Sequence, residues 1–166
     1  AAGDDRDPGE VEATYFETVK GRAEAEADLR LALSELLSTR GELDQALTHL
    51  ERVTKLDLAT DQQASVLDAR ARILDRDGRL DEAAAAYEEL EAFATEGSHS
   101  AQAARLALAD LRHRQGRADE AQSLIQVLLA PETDDAIRAR ALMVSGRLFE
   151  QSGEMDAARD AWQAAL

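Results

Sequence analysis

Gly78-Arg79-Leu80-Asp81-Glu82-Ala83 is the stretch that decides the fold, because its pattern of a glycine followed five residues later by an alanine returns at a nearly constant interval. The other copies are Gly41-Glu42-Leu43-Asp44-Gln45-Ala46, Gly116-Arg117-Ala118-Asp119-Glu120-Ala121 and Gly153-Glu154-Met155-Asp156-Ala157-Ala158. Successive glycines are 37, 38 and 37 residues apart. A fixed period of about 20–50 residues is typical of a repeat architecture. The sequence therefore predicts a chain of repeated units.

Each unit is predicted to contain two helices that meet at the glycine. A glycine can adopt the positive φ that ends a helix, and an acidic residue three positions later suits the positive end of the next helix. The small alanine lets the two helices pack closely. These features predict an all-α solenoid of stacked antiparallel helix pairs, since one pair alone cannot bury both of its apolar faces.

The predicted boundaries follow the period of the glycines. Residues 1–9 are expected to be a disordered tail, and residues 10–26 a leading helix, for which the second helix of a truncated unit is one interpretation. The repeats are predicted at 27–63, 64–101, 102–138 and 139–166, the last of them incomplete. The first repeat is expected to carry an apolar stripe of Leu29, Leu33, Leu36 and Leu37, and the other repeats similar stripes. Six aromatics of the chain are expected in the core: Tyr15, Phe16, Tyr87, Phe93, Phe149 and Trp162.

The composition excludes several classes of function. The formal charge is −15, from 19 basic and 34 acidic residues, which disfavours binding to nucleic acid or to an anionic membrane. The chain has no cysteine, so disulfides and thiolate metal sites are excluded. It also has no apolar run long enough to span a membrane. Lys20 and Lys55 are the only lysines, and such a preference for arginine is typical of a GC-rich bacterial gene.

No catalytic, metal or cofactor site is predicted. The glycines are too widely spaced for a phosphate-binding loop. The histidines, His49, His99 and His113, lack metal-ligand spacing and are expected to be exposed or to lie in links. The acidic residues around Gly78 do not match a calcium loop, because the closing glutamate is replaced by Ala86. We therefore do not expect an enzyme or a small-metabolite receptor.

The repeats resemble the tetratricopeptide repeat, whose second helix carries the signature Ala-x-x-x-aromatic. Ala83 with Tyr87 and Ala158 with Trp162 match this signature, and an aliphatic residue takes the aromatic place in the other two units. The period departs from the family's length of about 34 residues, and an arginine, Arg30, takes the place of the first aromatic. The resemblance covers residues 27–166. It implies a right-handed superhelix whose concave groove binds a protein or peptide.

The resemblance also implies which residues line that groove, by their distance from each turn glycine. They are Asp68, Arg72, Asp75, Arg76, Leu106, Asp110, His113, Arg114, Arg140, Met143, Arg147 and Glu150. This groove set holds five arginines and four acidic residues, or +1 in a chain of −15. Arginine binds carboxylates through paired hydrogen bonds. A clamp of the chaperone-binding type is not expected, because its places hold Leu31, Glu35, Ala69, Ala103 and Ala107.

Two functional hypotheses remain open at this point. The first is a non-catalytic interaction scaffold that binds a partner segment in its groove. The second is an internal spacer or assembly segment of a larger bacterial protein of the envelope, secretion or polysaccharide-export type. The chain begins at Ala1 without a methionine and stops within a helical pattern, where Trp162 and Leu166 have no following unit. Self-association through such uncapped ends is therefore expected under the second hypothesis, and the sequence does not indicate a compartment.

Overall fold

The computed structural model of the chain describes residues 8–166, with side chains from Glu12 onward. Across that range the regular secondary structure consists of nine helices and no strands. The helices are α1 (Pro8–Val19), α2 (Ala23–Thr39), α3 (Leu43–Val53), α4 (Thr60–Arg76), α5 (Leu80–Phe93), α6 (His99–Arg114), α7 (Ala118–Leu128), α8 (Asp135–Ser152) and α9 (Met155–Ala164). The predicted all-α fold of helix pairs is confirmed. Within the described part of the chain, no helix is both long enough and apolar enough to cross a membrane.

The start of the helical part differs from the prediction by a few residues. Residues 1–7 of the predicted tail 1–9 lie outside the described residues. α1 begins at Pro8, two residues before the predicted position, because the fixed φ of proline suits the first turn of a helix. α1 ends at Val19, and Gly21 then takes a φ of +77°. Within the segment 10–26, α1 therefore ends before Gly21, and residues 23–26 belong to α2.

The chain forms two compact units, Ala1–Ala69 and Arg70–Leu166, and the boundary between them lies within α4. In the first unit α2 packs against α3 and, less extensively, against α1. In the second unit each helix from α5 to α9 packs against the next, and α6 also contacts α8. The repeat boundaries stay a prediction.

The four glycine turns have the predicted conformation. Their glycines take φ of 82°, 76°, 76° and 84°. The residue after each glycine donates its backbone N–H to the carbonyl five positions earlier, which satisfies an orphan carbonyl in the manner of a Schellman motif. These bonds are Glu42 to Leu37, Arg79 to Leu74, Arg117 to Arg112 and Glu154 to Phe149. The alanines of the four turns, Ala46, Ala83, Ala121 and Ala158, are all 0% exposed, as close packing of the helix pairs requires.

Two of the links also carry helix caps that follow from the sequence. Ser98 accepts a hydrogen bond from the backbone N–H of Ala101 at the start of α6. Asp134 accepts from the first turn of α8 in the same way. The buried Gln102 side chain joins these two links, since its amide nitrogen donates to Gly97 O and its oxygen accepts from Asp134 N. The sequence gives no periodic signal for this residue.

The cores of the two units differ in polarity. The second unit has an apolar core contributed by α6, α7 and α8: Leu106, Ala109, Ala121, Ile125, Leu128, Ile137, Ala141, Val144 and Leu148. In the first unit α2 buries Ala27, Arg30, Ser34 and Ser38, whereas Leu36 of the predicted stripe is exposed. The predicted stripe is therefore wrong at that position. The face of α2 that is buried carries small and polar residues, and the leucines beside it are only partly covered.

The aromatic residues are less uniformly buried than predicted. Tyr87 is buried, and Phe16, Phe149 and Trp162 are half-buried. Tyr15 and Phe93 are exposed, so their predicted place in the core is wrong. The reason at Tyr15 is that the neighbouring Phe16 occupies the inward face of α1. Phe93 is the last residue of α5, where the helix ends and cover is incomplete.

Candidate functional site

An open cavity of about 350 Å³ lies in the second unit, among α5, α6, α8 and the last turn of α4. Its lining residues are Asp75, Tyr87, Leu106, Ala107, Asp110, Arg140, Met143, Val144 and Arg147. Six of these nine residues belong to the predicted groove set. The structure thus brings half of that set around one concave surface.

α8 supplies four of the nine lining residues, more than any other helix. Arg140, Met143 and Arg147 lie three and four residues apart, so they share one face of the helix. Met143 is 44% exposed, and its side chain is available for contact. Leu106 of α6 is only 3% exposed and belongs to the apolar core. Its predicted role is therefore corrected: Leu106 supports the floor of the cavity from below, and the face of α6 turned to solvent is carried by Asp110.

Three of the four charged residues that line the cavity, Asp75, Asp110 and Arg147, are already paired within the protein. Arg147 Nη2 donates to Asp110 Oδ1 at 2.6 Å, which links α8 to α6. Arg114 at the end of α6 donates to Asp75 at the end of α4, and this hydrogen bond raises the pKa of Arg114. These bridges connect first helices of successive predicted repeats. The carboxylate-binding capacity expected of Arg114 and Arg147 is therefore used internally.

Arg140 differs from Arg147, the other arginine of the cavity lining, in its side-chain contacts. It is exposed, and no acidic partner, hydrogen bond or ring contact reaches it from residues 12–166. Its side chain therefore lines the cavity without an ion pair from the described part of the chain. Of the charged groups that line the cavity, this is the one available to a ligand without breaking an existing ion pair.

The rest of the predicted groove set lies outside the cavity lining. These residues are Asp68, Arg72, Arg76, His113, Arg114 and Glu150. Arg72, Arg76 and Glu150 are exposed, and Asp68 is half-buried in the first unit. His113 is half-buried, and its Nδ1 is buried without a hydrogen-bond partner among the described residues. The expectation that His113 is exposed or part of a link is therefore wrong, since it lies in α6.

Three cavity residues were missed by sequence reasoning: Tyr87, Ala107 and Val144. Tyr87 was assigned to the core, and it is indeed buried, but one side of it lines the cavity. Its place in the Ala-x-x-x-aromatic signature could have indicated this, because that position faces the first helices of the repeat. Ala107 stands at a place of the chaperone-binding clamp, which was rejected because of its residue type, and Val144 carries no comparable signal.

The buried Arg112 holds α6 against both of its neighbours, and the half-buried Arg105 adds a second contact to α5. Arg112 Nη2 donates to Glu88 Oε1 of α5 at 2.5 Å, and its Nε lies 3.3 Å from Glu120 Oε2 of α7. Arg105 Nε donates to Glu91 Oε1 of α5 at 2.7 Å. These contacts fix the position of α6 and hence of Asp110 in the cavity wall.

The first unit contains a second polar cluster that is separate from the cavity. The Arg30 guanidinium lies 4.0 Å from the ring centroid of Phe16 and donates twice to Glu26 Oε1. The ring of His49 stacks on Phe16 with centroids 6.1 Å apart, and His49 Nε2 lies 3.6 Å from Glu12 Oε1. Because a planar guanidinium packs on aromatic rings, Arg30 can replace the aromatic of the repeat pattern. His49 is 8% exposed, so its predicted exposure is wrong.

The burial of His49 predicts a pH dependence of stability. Burial lowers the pKa of His49 most strongly; Glu12 opposes this, and Arg30 and Arg52 add to it. A histidine with a lowered folded-state pKa binds more protons when unfolded, so its contribution to stability is complete above a pH of about 6.5 and decreases below it. When the pH is lowered from neutral to about 5, we expect the free energy of unfolding of His49→Gln to decrease less than that of the parent. Parallel thermal melts of both proteins, followed by circular dichroism, measure this, and identical slopes would contradict it.

Comparison with known proteins agrees with the observed helix pairs. Two family models, both described as Tetratricopeptide repeat, match residues 74–146 and residues 27–52. The longer match includes every cavity-lining residue except Arg147. The crystal structure of BtubC (BKLC) from P. vanneervenii is similar, with a TM-score of 0.75 and 17% identity over 95% of this chain and 68% of that chain. At that identity the likeness shows the fold alone. No curated protein matches the chain.

Proposed function

Because the chain belongs to the tetratricopeptide repeat family, we propose that it captures a segment of a partner protein in the cavity of residues 70–166. Tetratricopeptide repeats in general indicate a protein–protein interaction scaffold, and members of the family are typically non-catalytic. The observation that carries the finer proposal is that six residues of the predicted groove set line one cavity. A cavity of about 350 Å³ lies within the size range of roughly 300–1,000 Å³ of pockets that hold ligands.

The chemistry of the lining also supports a peptide as the ligand. The wall offers apolar surface from Met143, Val144 and Tyr87, together with a few charged groups that can fix the orientation of a bound chain. An exposed methionine adapts its shape to different partners. Four lining residues follow one another along α8, which suits a segment of polypeptide that lies along the helix.

The test compares the same substitution, methionine to glutamate, at two exposed positions. Met143, 44% exposed, lines the cavity, whereas Met155, 52% exposed, lies on α9 outside it. The parent and both Met→Glu variants are used for affinity capture from a lysate of the source organism. We expect Met143→Glu to abolish capture of the specific partner and Met155→Glu to retain it. Equal capture by the two variants would refute the cavity as the binding site.

Reversal of Arg114 or Arg147 is a poor test of binding. Each is paired with an aspartate of the preceding first helix, so a glutamate would place two carboxylates together and loosen the helix stack. Loss of partner capture by such a variant would then report structural damage. Substitutions at Met143 and Arg140 avoid this problem because neither side chain has an ion-pair partner in the described chain.

The second candidate is the structural role of a spacer or assembly segment in a larger bacterial protein. Exposed apolar side chains on α7 and α9, Val127 and Met155, support it because a second copy of the chain could cover them. Light scattering at increasing concentration tests self-association. Growth in mass that Met155→Glu abolishes and Met143→Glu retains would favour an assembly role, and a strict monomer at high concentration would refute self-association through these side chains.

A further inference from the structure

Building on the proposed function, we propose that the cavity selects an extended partner segment with one acidic side chain on Arg140 and an apolar side chain two residues away over Met143. The carboxylate of this acidic side chain pairs with the guanidinium of Arg140. The occupant is thus a polypeptide of alternating acidic and apolar character. Neither a basic segment nor a long acidic run fits the same surface.

The preference for an acidic residue follows from the ion pairs of the lining. Asp75 and Asp110 each hold an arginine, so an incoming cation would have to displace Arg114 or Arg147 from its carboxylate. An incoming carboxylate meets no such competition at Arg140, whose guanidinium is unpaired within the described range. Arginine can bind a carboxylate through two parallel hydrogen bonds. The unsatisfied charge therefore favours an anion at this one point.

The restriction to a single acidic residue follows from the surrounding charge. The chain carries −15 overall, and the cavity lining itself includes Asp75 and Asp110. Further carboxylates beside the first would approach these groups, and Arg147, the other arginine of the lining, is already paired with Asp110. Like charges that are only a few ångströms apart repel, and screening by salt acts mainly over longer distances, of about 8 Å at physiological ionic strength.

The spacing of the two side chains follows from helix geometry. Met143 lies three residues after Arg140 on α8, so the two Cβ atoms are about 5–6 Å apart. In an extended chain, residues i and i+2 point to the same side and are separated by roughly 6.5–7 Å. An acidic residue on Arg140 therefore places the residue two positions away over Met143. The apolar floor that Leu106 and Val144 provide gives that side chain a favourable surface.

A display library of short random peptides, fused so that their C-termini are blocked, tests this specificity. We expect the parent to enrich peptides with an acidic residue two positions from an apolar one. Arg140→Gln is expected to keep the apolar preference and lose the acidic one. Arg159→Gln is the matched control, since Arg159 is an exposed arginine of α9 outside the cavity. Enrichment of basic residues, or the same acidic preference in Arg140→Gln, would overturn the inference.

Fluorescence anisotropy then measures one enriched peptide against its acid-to-amide version. The acidic peptide is expected to bind the parent roughly tenfold more tightly, a difference of about 1.4 kcal/mol, and both versions are expected to bind Arg140→Gln equally. Equal affinities for the parent overturn the acidic specificity but leave the proposed function standing. Binding that needs a free C-terminal carboxylate also overturns the inference. Peptide binding that Met143→Glu leaves unchanged refutes the proposed function itself.

Discussion

Ala83→Glu is expected to lower the free energy of unfolding by roughly 3 kcal/mol or more, which is a large part of the 5–15 kcal/mol typical of a domain. Ala83 is 0% exposed at the close-packed position of its turn. A glutamate there either buries a carboxylate without a partner or forces the helices apart, and both outcomes are costly. Urea unfolding followed by far-ultraviolet circular dichroism measures the change.

The matched control lies two residues further along the same helix. Ala85 is exposed on α5, so Ala85→Glu introduces the same charge and the same side chain without burial. Its effect is expected to remain within about 0.5 kcal/mol, as for surface substitutions in general. Equal unfolding midpoints for the two variants would show that Ala83 does not hold the helix pair together.

Gly146→Ala is expected to destabilise the protein although alanine favours helices over glycine by about 1 kcal/mol. Gly146 is buried within α8, beneath the indole ring of Trp162 on α9. A Cβ added at this position would lie 2.6 Å from Trp162 Cε2 and even closer to two other ring atoms. Overpacking of this kind costs typically 1–3 kcal/mol, so the clash exceeds the gain in helix propensity. Chemical denaturation measures the balance.

Trp162 is the only tryptophan of the chain, so its fluorescence reports directly on this contact. We expect the emission of Gly146→Ala to move toward that of an exposed indole, because the ring must leave its place against α8. Trp162→Leu removes the clashing atoms, and Gly146→Ala in that background is expected to cost less than in the parent. Equal costs in both backgrounds would mean that the two residues are not coupled.

The turns of this fold could be predicted from the sequence because their determinants are local. Gly116 needs no partner beyond its own helix end, and its positive φ follows from the lack of a side chain. Ala121 follows at a fixed distance in the same segment, and it is buried because its small side chain lets the two helices pack closely. The caps at Ser98 and Asp134 depend on neighbours only two or three residues away.

The candidate site could be predicted only in part, because its contacts join distant residues. Distance from the turn glycine assigned Arg114 and Arg147 to the groove, but it could not show that each is paired with an aspartate 39 or 37 residues earlier. Arg140 has the same residue type and the same assigned face, yet it is unpaired in the described chain. The side-chain pairing, which decides the chemistry of the cavity, depends on how successive helices are placed.

Helix periodicity also fixes a buried face only to within about one position. On α2 the predicted leucine stripe and the observed buried face differ by such a shift, which exposes Leu36 and buries Ser34. His49 was placed outside the core because a lone histidine is usually exposed. Its burial depends on Phe16, which is 33 positions away in sequence, and on the acidic Glu12. Neither association is visible in the repeat pattern.

The local closure of the glycine turns has a consequence for the speed and order of folding. Each turn bond joins residues five positions apart, and from α5 to α9 each helix packs against its successor in the chain. Contacts between residues close in sequence give a low contact order, which is typical of proteins that fold in microseconds to milliseconds. Folding of such arrays can nucleate at one helix pair and propagate to the next. A nascent chain can therefore begin to form each helix pair as it leaves the ribosome, and each pair is stabilised when the following pair packs against it.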